Sequence, residues 1–117
     1  VASPFAGPVI LVDTSVWVDH LRVGDALLAR LLDRGETLGH PWVTGELALG
    51  NLREGSEVLR LLEHLPQATV TTAAELLEFI NRPDLSGLGI GYVDAQLLAA
   101  TMLTGDGRLW TRDRRLR

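Results

Sequence analysis

Val9-Ile10-Leu11-Val12-Asp13-Thr14-Ser15-Val16-Trp17 decides the fold. Its first four residues are an unbroken aliphatic run with no polar alternation. Such a run reads as a strand buried on both faces, the habit of parallel sheets. Asp13-Thr14-Ser15 ends it, and Ser15 reads as the N-cap of a short helix reaching about Leu21. Asp13 is also the only charged residue from Val1 to Val18. An acid beside buried surface is costly unless it is hydrogen-bonded, paired or bound to a cation.

Two more acids share that isolation. Glu46 is the only charged residue from Pro41 to Leu52, and Asp94 the only one from Gly91 to Gly105. Three acids with no basic neighbour in their own segments point to one shared cation.

Outward from the first strand the pattern alternates. Helical spacing covers Gly24 to Arg34, with Gly35 as its stop. Residues 36–39 read as a short strand, and a helix follows Pro41 over 43–52. An amphipathic helix covers Glu57 to Leu65 before Pro66. Ala68 to Thr71 reads as a strand, Ala73 to Asn81 as a helix and Pro83 to Gly91 as a glycine-rich loop. Tyr92 to Thr104 is apolar nearly all round, so a buried helix is expected. Gly105-Asp106-Gly107 is a turn before a strand over 108–111. Strands alternating with helices give an α/β class with a parallel sheet. Residues 1–8 read as a flexible lead-in and 9–117 as a single domain, expected to continue past Arg117 by a short strand or helix.

The 117 residues carry 46% hydrophobic content, enough for one domain with a real core. Cysteine is absent, which removes disulfides, thiolate metal sites and a cysteine nucleophile and fits a reducing cytoplasm. No apolar run is long enough to span a membrane. The net charge is −4, and all 11 basic residues are arginine. Without lysine there is no P-loop and no Schiff-base chemistry. An acidic chain is no passive nucleic-acid coat, because phosphate affinity comes mainly from cations. A metal or a local arginine patch must supply that contact. Arg108, Arg112, Arg114, Arg115 and Arg117 offer such a patch.

In open α/β sheets, ligands bind beyond the carboxyl ends of the strands. Asp13 ends the first strand. Asp113 follows the last strand by two residues. Asp94 lies in the first turn of the buried helix, and Glu46 near the start of another. Hard oxygen ligands of this kind suit Mg²⁺ or Mn²⁺ and water-mediated phosphodiester hydrolysis. Each acid has a plainer role open to it: Asp13 as a helix cap, Asp94 as a complement to a helix dipole, Glu46 as a solvated helix residue, Asp113 as a surface ion pair among its arginine neighbours. Their coincidence favours a site.

The chain resembles PIN-domain proteins, and most closely VapC-type toxins of bacterial toxin–antitoxin pairs, from about Val9 to Arg117. Val12-Asp-Thr-Ser-Val-Trp17 resembles the family's hydrophobic strand with Asp-Thr/Ser-Ser. Thr44-Gly-Glu-Leu47, with Gly50 following, resembles the segment of the second acid. Gly91-Tyr-Val-Asp-Ala-Gln96 resembles that of the third, and Leu109-Trp-Thr-Arg-Asp113 the terminal strand with Thr-x-Asp. The resemblance implies a PIN-like fold, with a central, mostly parallel sheet of four to five short strands flanked by helices. It implies a cytoplasmic bacterial endoribonuclease that depends on Mg²⁺, with Mn²⁺ as substitute. Asp13, Glu46, Asp94 and Asp113 would be its catalytic and metal-binding acids. The implied substrate is structured RNA such as tRNA or ribosomal RNA, cut to a 5′-phosphate and a 3′-hydroxyl. A homodimer and a VapB-type antitoxin lying over the active-site groove are implied as partners.

Thr14 and Thr111 are supporting candidates, holding bound waters or neighbouring carboxylates. Arg112 and Arg114 are candidates for contact with RNA phosphate or antitoxin carboxylates. His20, His40 and His64 lack metal-ligand spacing and read as surface or partly packed residues. Two rivals to a nuclease stand: an aspartate-based phosphatase and a non-catalytic PIN-like interaction module. Haloacid-dehalogenase-like phosphatases place a second aspartate two residues after the first, where this chain has Ser15, and they need a lysine.

Overall fold

The computed structural model describes residues 10–50, 55–81, 91–104 and 107–112. Its centre is a parallel sheet of β1 (Ile10–Val12), β2 (Thr37–Leu38) and β3 (Arg108–Trp110), in the order β2-β1-β3. Ile10 pairs with Thr37 on one side and with Arg108 on the other, and Val12 pairs with Trp110. Leu11 and Val12 are buried, as a central strand covered on both faces requires.

The first crossover, from β1 to β2, carries α1 (Thr14–Val23) and α2 (Ala26–Asp33). The second carries α3 (Pro41–Leu49), α4 (Gly55–His64), α5 (Ala73–Ile80) and α6 (Tyr92–Leu103) and returns to the opposite side of β1. β1 is thus the central strand, with β2 and β3 on its two sides. Its carboxyl end lies beside that of β3, and open α/β sheets place their ligands beyond the carboxyl ends of their strands.

Sequence chemistry accounts for the boundaries. Asp13, not Ser15, caps α1: its carboxylate accepts from Thr14 N and its carbonyl from Val16 N. Ser15 is already helical. At the end of α2, Gly35 takes φ +68°. Its N–H donates to Leu32 O and that of Glu36 to Leu31 O, a paired closure that needs a residue free to turn left-handed. His40 caps α3, accepting from Trp42 N with Nδ1, and Pro41 occupies the first helical position. Thr72 and Glu75 form a reciprocal cap on α5.

The principal core joins Leu11, Val12, Val16, Trp17, Leu28 and Leu38 to Val43, Leu47, Leu62, Leu97 and Ala100. A satellite cluster of Leu76, Ala95 and Ala99 sits between α5 and α6, with Phe79 and Ile80 against it.

Two expectations change, and one is met in part. The described residues hold three strands of the four to five expected, and Ala68 to Thr71 is not a strand. Only a single parallel bridge, Gly39 to Gln67, forms there. The Thr71 hydroxyl donates to Gln96 in the buried interior, and the next residue, Thr72, caps α5. His40 is fully buried rather than at the surface. The lead-in 1–8 and most of the glycine-rich loop lie outside the described residues. Among the described residues, no helix is long and apolar enough to cross a membrane.

Candidate functional site

Asp13 stands where β1 stops, and its backbone N–H donates to Trp110 O at 2.9 Å, the last rung toward β3. Its side chain is buried, at 6% exposure. Three neutral donors converge on it. Thr14 N donates to Oδ1 at 2.7 Å, while the hydroxyls of Thr111 and Ser15 donate to Oδ2 at 2.7 and 3.0 Å. Among the described residues no cationic side chain pairs with this carboxylate.

Thr14 couples that acid to the next. Its backbone serves Asp13, and its hydroxyl donates to Glu46 Oε1 at 2.6 Å across from α3. One residue thus touches two carboxylates from separate elements. Glu46 itself is exposed, and among the described residues its Oε2 makes no bond. The core residues Val43 and Leu47 hold one face of α3 down, and Glu46, on the flank of that face, is left exposed.

Asp94 occupies the first turn of α6 and is half-buried. Its carboxylate folds back toward the helix start: a Cβ on Gly91 would lie 3.6 Å from Oδ2. The neighbouring Ala95, Gln96 and Leu97 are buried and fix the helix face. The rings of Trp42 and Tyr92 meet with centroids 5.5 Å apart. Trp42 lies one turn before Glu46, and Tyr92 two residues before Asp94. That contact brings the opening turns of α3 and α6 together.

The structure therefore joins Asp13, Thr14, Glu46 and Thr111 in one network. Asp94 stands on the adjoining helix α6. Among the described residues no group of three or more His, Asp or Glu side chains forms a ready cation cage. Asp113 and Arg114 lie outside the described residues. Thr14 and Thr111 hold carboxylates. Arg112 faces acids of its own chain, with Nε on Asp19 and Nη2 on Asp25, and lies over the Trp110 ring.

Two participants are hard to see in the sequence. Ser15 donates to Asp13 and also accepts from Arg112 N at 3.3 Å. Its place two residues after the acid is the one available signal. His40 anchors the helix that carries Glu46. Burial pushes its imidazole below the ordinary value, so the neutral ring accepts at Nδ1 and leaves Nε2 without a partner.

The donor chemistry fits a hard divalent cation. It offers carboxylate oxygens without nitrogen or sulfur, one of them buried and lacking a cationic partner among the described residues.

No protein-family model matches the chain. Ribonuclease VapC32 of Mycobacterium tuberculosis is similar to it in two strains, CDC 1551 / Oshkosh and ATCC 25618 / H37Rv. Each relative is 51% identical over 108 residues, covering 92% of this chain and 87% of the relative. Identity at this level over nearly the whole chain places the family: the chain belongs to the VapC-type PIN-domain ribonucleases.

Proposed function

We propose that this chain is a divalent-metal-dependent endoribonuclease acting on structured RNA, and the toxin partner of a VapB-type antitoxin. The observation that carries the reading is the bridge from Asp13 through Thr14 to Glu46 at the carboxyl end of the central strand. Asp13, Glu46 and Asp94, with Asp113, are the residues that would hold Mg²⁺ or Mn²⁺. When bound, the cation supplies polarisation of the phosphate and a more acidic water.

The chain's own residues do the rest. Thr111, Ser15 and Thr14 hold Asp13 in one orientation, so its position needs no rearrangement at the moment of reaction. Glu46 keeps one oxygen free of protein bonds among the described residues and is placed to accept a proton from the attacking water. Attack on phosphorus breaks the P–O3′ bond, leaving a 5′-phosphate and a 3′-hydroxyl that takes its proton from solvent. Repulsion between an acidic protein and RNA gives the cation a second task, charge neutralisation. Arg108, at the start of β3, is exposed and available for phosphate. Tight control by an antitoxin in the cytoplasm, and a homodimer, belong to the same reading.

Brief expression followed by sequencing of RNA 5′ ends tests it, against Asp94→Ala as control. Discrete new ends in the parent and none in the control are expected. The same ends in both, or in neither, would refute the assignment. Apo protein should also melt at a higher temperature with millimolar Mn²⁺, through mass action on the folded state.

A further inference from the structure

Sheet pairing ends at Trp110, yet the next two residues are still held in place. Thr111 is buried with its hydroxyl on Asp13. Arg112 N donates to Ser15 Oγ, in the first turn of α1. The Arg112 side chain then runs along that helix. Ser15 and Asp19 are four apart and share a face. Nε of Arg112 reaches Asp19, and Nη2 reaches Asp25 Oδ2 at 3.2 Å.

Asp25 is a firm anchor. Its N–H donates to His20 Nδ1 at 3.0 Å, and its Oδ1 caps α2 by accepting from Leu28 N at 3.0 Å. The guanidinium carbon lies 5.9 Å from the Trp110 ring centroid. One arginine thus ties the exit of β3 to α1 and α2. An isolated exposed ion pair contributes little, but two carboxylates on one planar fork give a fixed direction. An incoming phosphate would have to compete with both.

We propose that Arg112 is a positioning residue: by tying the β3 exit to α1 and α2, it keeps the Thr111 hydroxyl on Asp13. Its effect on catalysis rests on the reading of Asp13 as a cation ligand. The tie itself can be observed without metal or RNA.

The first measurement is methyl NMR of threonine-labelled, metal-free protein. Thr111 should be rigid in the parent. In Arg112→Gln its methyl resonance should move and its order parameter fall, with a smaller fall in Asp19→Asn. Arg112→Lys keeps the charge without the fork and should recover part of the loss. An unchanged Thr111 methyl in Arg112→Gln would overturn the proposal. The second measurement is Mn²⁺ titration by calorimetry, with cleavage kinetics at saturating metal. Side chains that orient metal ligands contribute about 10-fold or more to affinity, so a 3- to 10-fold weakening is expected in Arg112→Gln. KM for RNA should hold. Unchanged Mn²⁺ affinity with a raised KM would make Arg112 a phosphate contact and overturn the proposal. Should the parent bind no Mn²⁺ while Thr111 still responds to the substitutions, the metal-dependent reading fails and the tie stands.

Discussion

Asp13 and Asp94 are both acids at helix starts, but they are held very differently. Asp13 is buried, at the end of a central strand, with three donors from two distant parts of the chain. Asp94 is half-buried on a helix whose opening residue, Gly91, provides no side-chain cap. Glu46 is exposed and tied through one hydroxyl. The difference teaches where the network invests its bonds: three donors converge on Asp13 and one on Glu46. On the proposed reading, a cation would meet one acid already oriented by neutral donors and a second, Glu46, with an oxygen open among the described residues. Carboxylates gathered without a cation would repel one another, and the exposure of Glu46 limits that cost.

Replacing each acid should separate the two modes most sharply. Asp13→Asn removes a charge that no neighbour can replace. Several kcal/mol of lost charge stabilisation corresponds to about a 1000-fold fall in cleavage, with the fold retained. Asp94→Asn should fall less and recover partly at raised Mn²⁺. Initial rates across a Mn²⁺ series check this, and equal, metal-insensitive losses would erase the contrast.

Thr111→Val removes one donor from the rigid acid without changing side-chain shape. Leaving a buried acceptor short of a partner costs about 1–3 kcal/mol, which a denaturant melt would show. Cleavage should fall with it. A variant as stable and active as the parent would mean that Asp13 does not depend on this support.

His40 gives a pH test of the helix that carries Glu46. Burial lowers its folded pKa, so the unfolded chain takes up a proton more readily. Stability from this source is complete above the ordinary imidazole value of 6.5 and declines as pH falls below it, until the lowered folded value is reached. Melting curves from pH 7.5 to 5 should show that decline. His40→Asn keeps a capping side chain and should flatten it. The smallest change concerns the contact between α3 and α6. Trp42→Leu breaks the ring contact between α3 and α6, which should lower stability by about 0.5–1.5 kcal/mol. The Mn²⁺ needed for half-maximal cleavage should rise while Asp13-dependent rigidity stays.

The same contrast marks what the sequence makes legible. β1 is readable because a buried parallel strand is an unbroken apolar run, and β3 because a Gly-Asp-Gly turn signal precedes it. The helices are readable from their period, and the stop at Gly35 from its backbone freedom. Asp13, Glu46 and Asp94 stand out because each is the only charge in its segment. What stays hidden depends on contacts between distant residues. Nothing near Arg112 in the chain announces Asp19 and Asp25. Nothing in the short run from Ala68 to Thr71 reveals that Thr71 will turn to Gln96. The burial of His40 is equally silent, since a histidine before a proline more often signals a turn at the surface.

The bond between Thr111 and Asp13 joins residues 98 positions apart. During synthesis Thr111 is added 98 residues after Asp13, and contacts of such separation form late in folding. Until then the buried acid lacks the hydroxyl that steadies it. Translation order therefore sets when Asp13 reaches its final orientation: a growing copy has the acid long before it has the support.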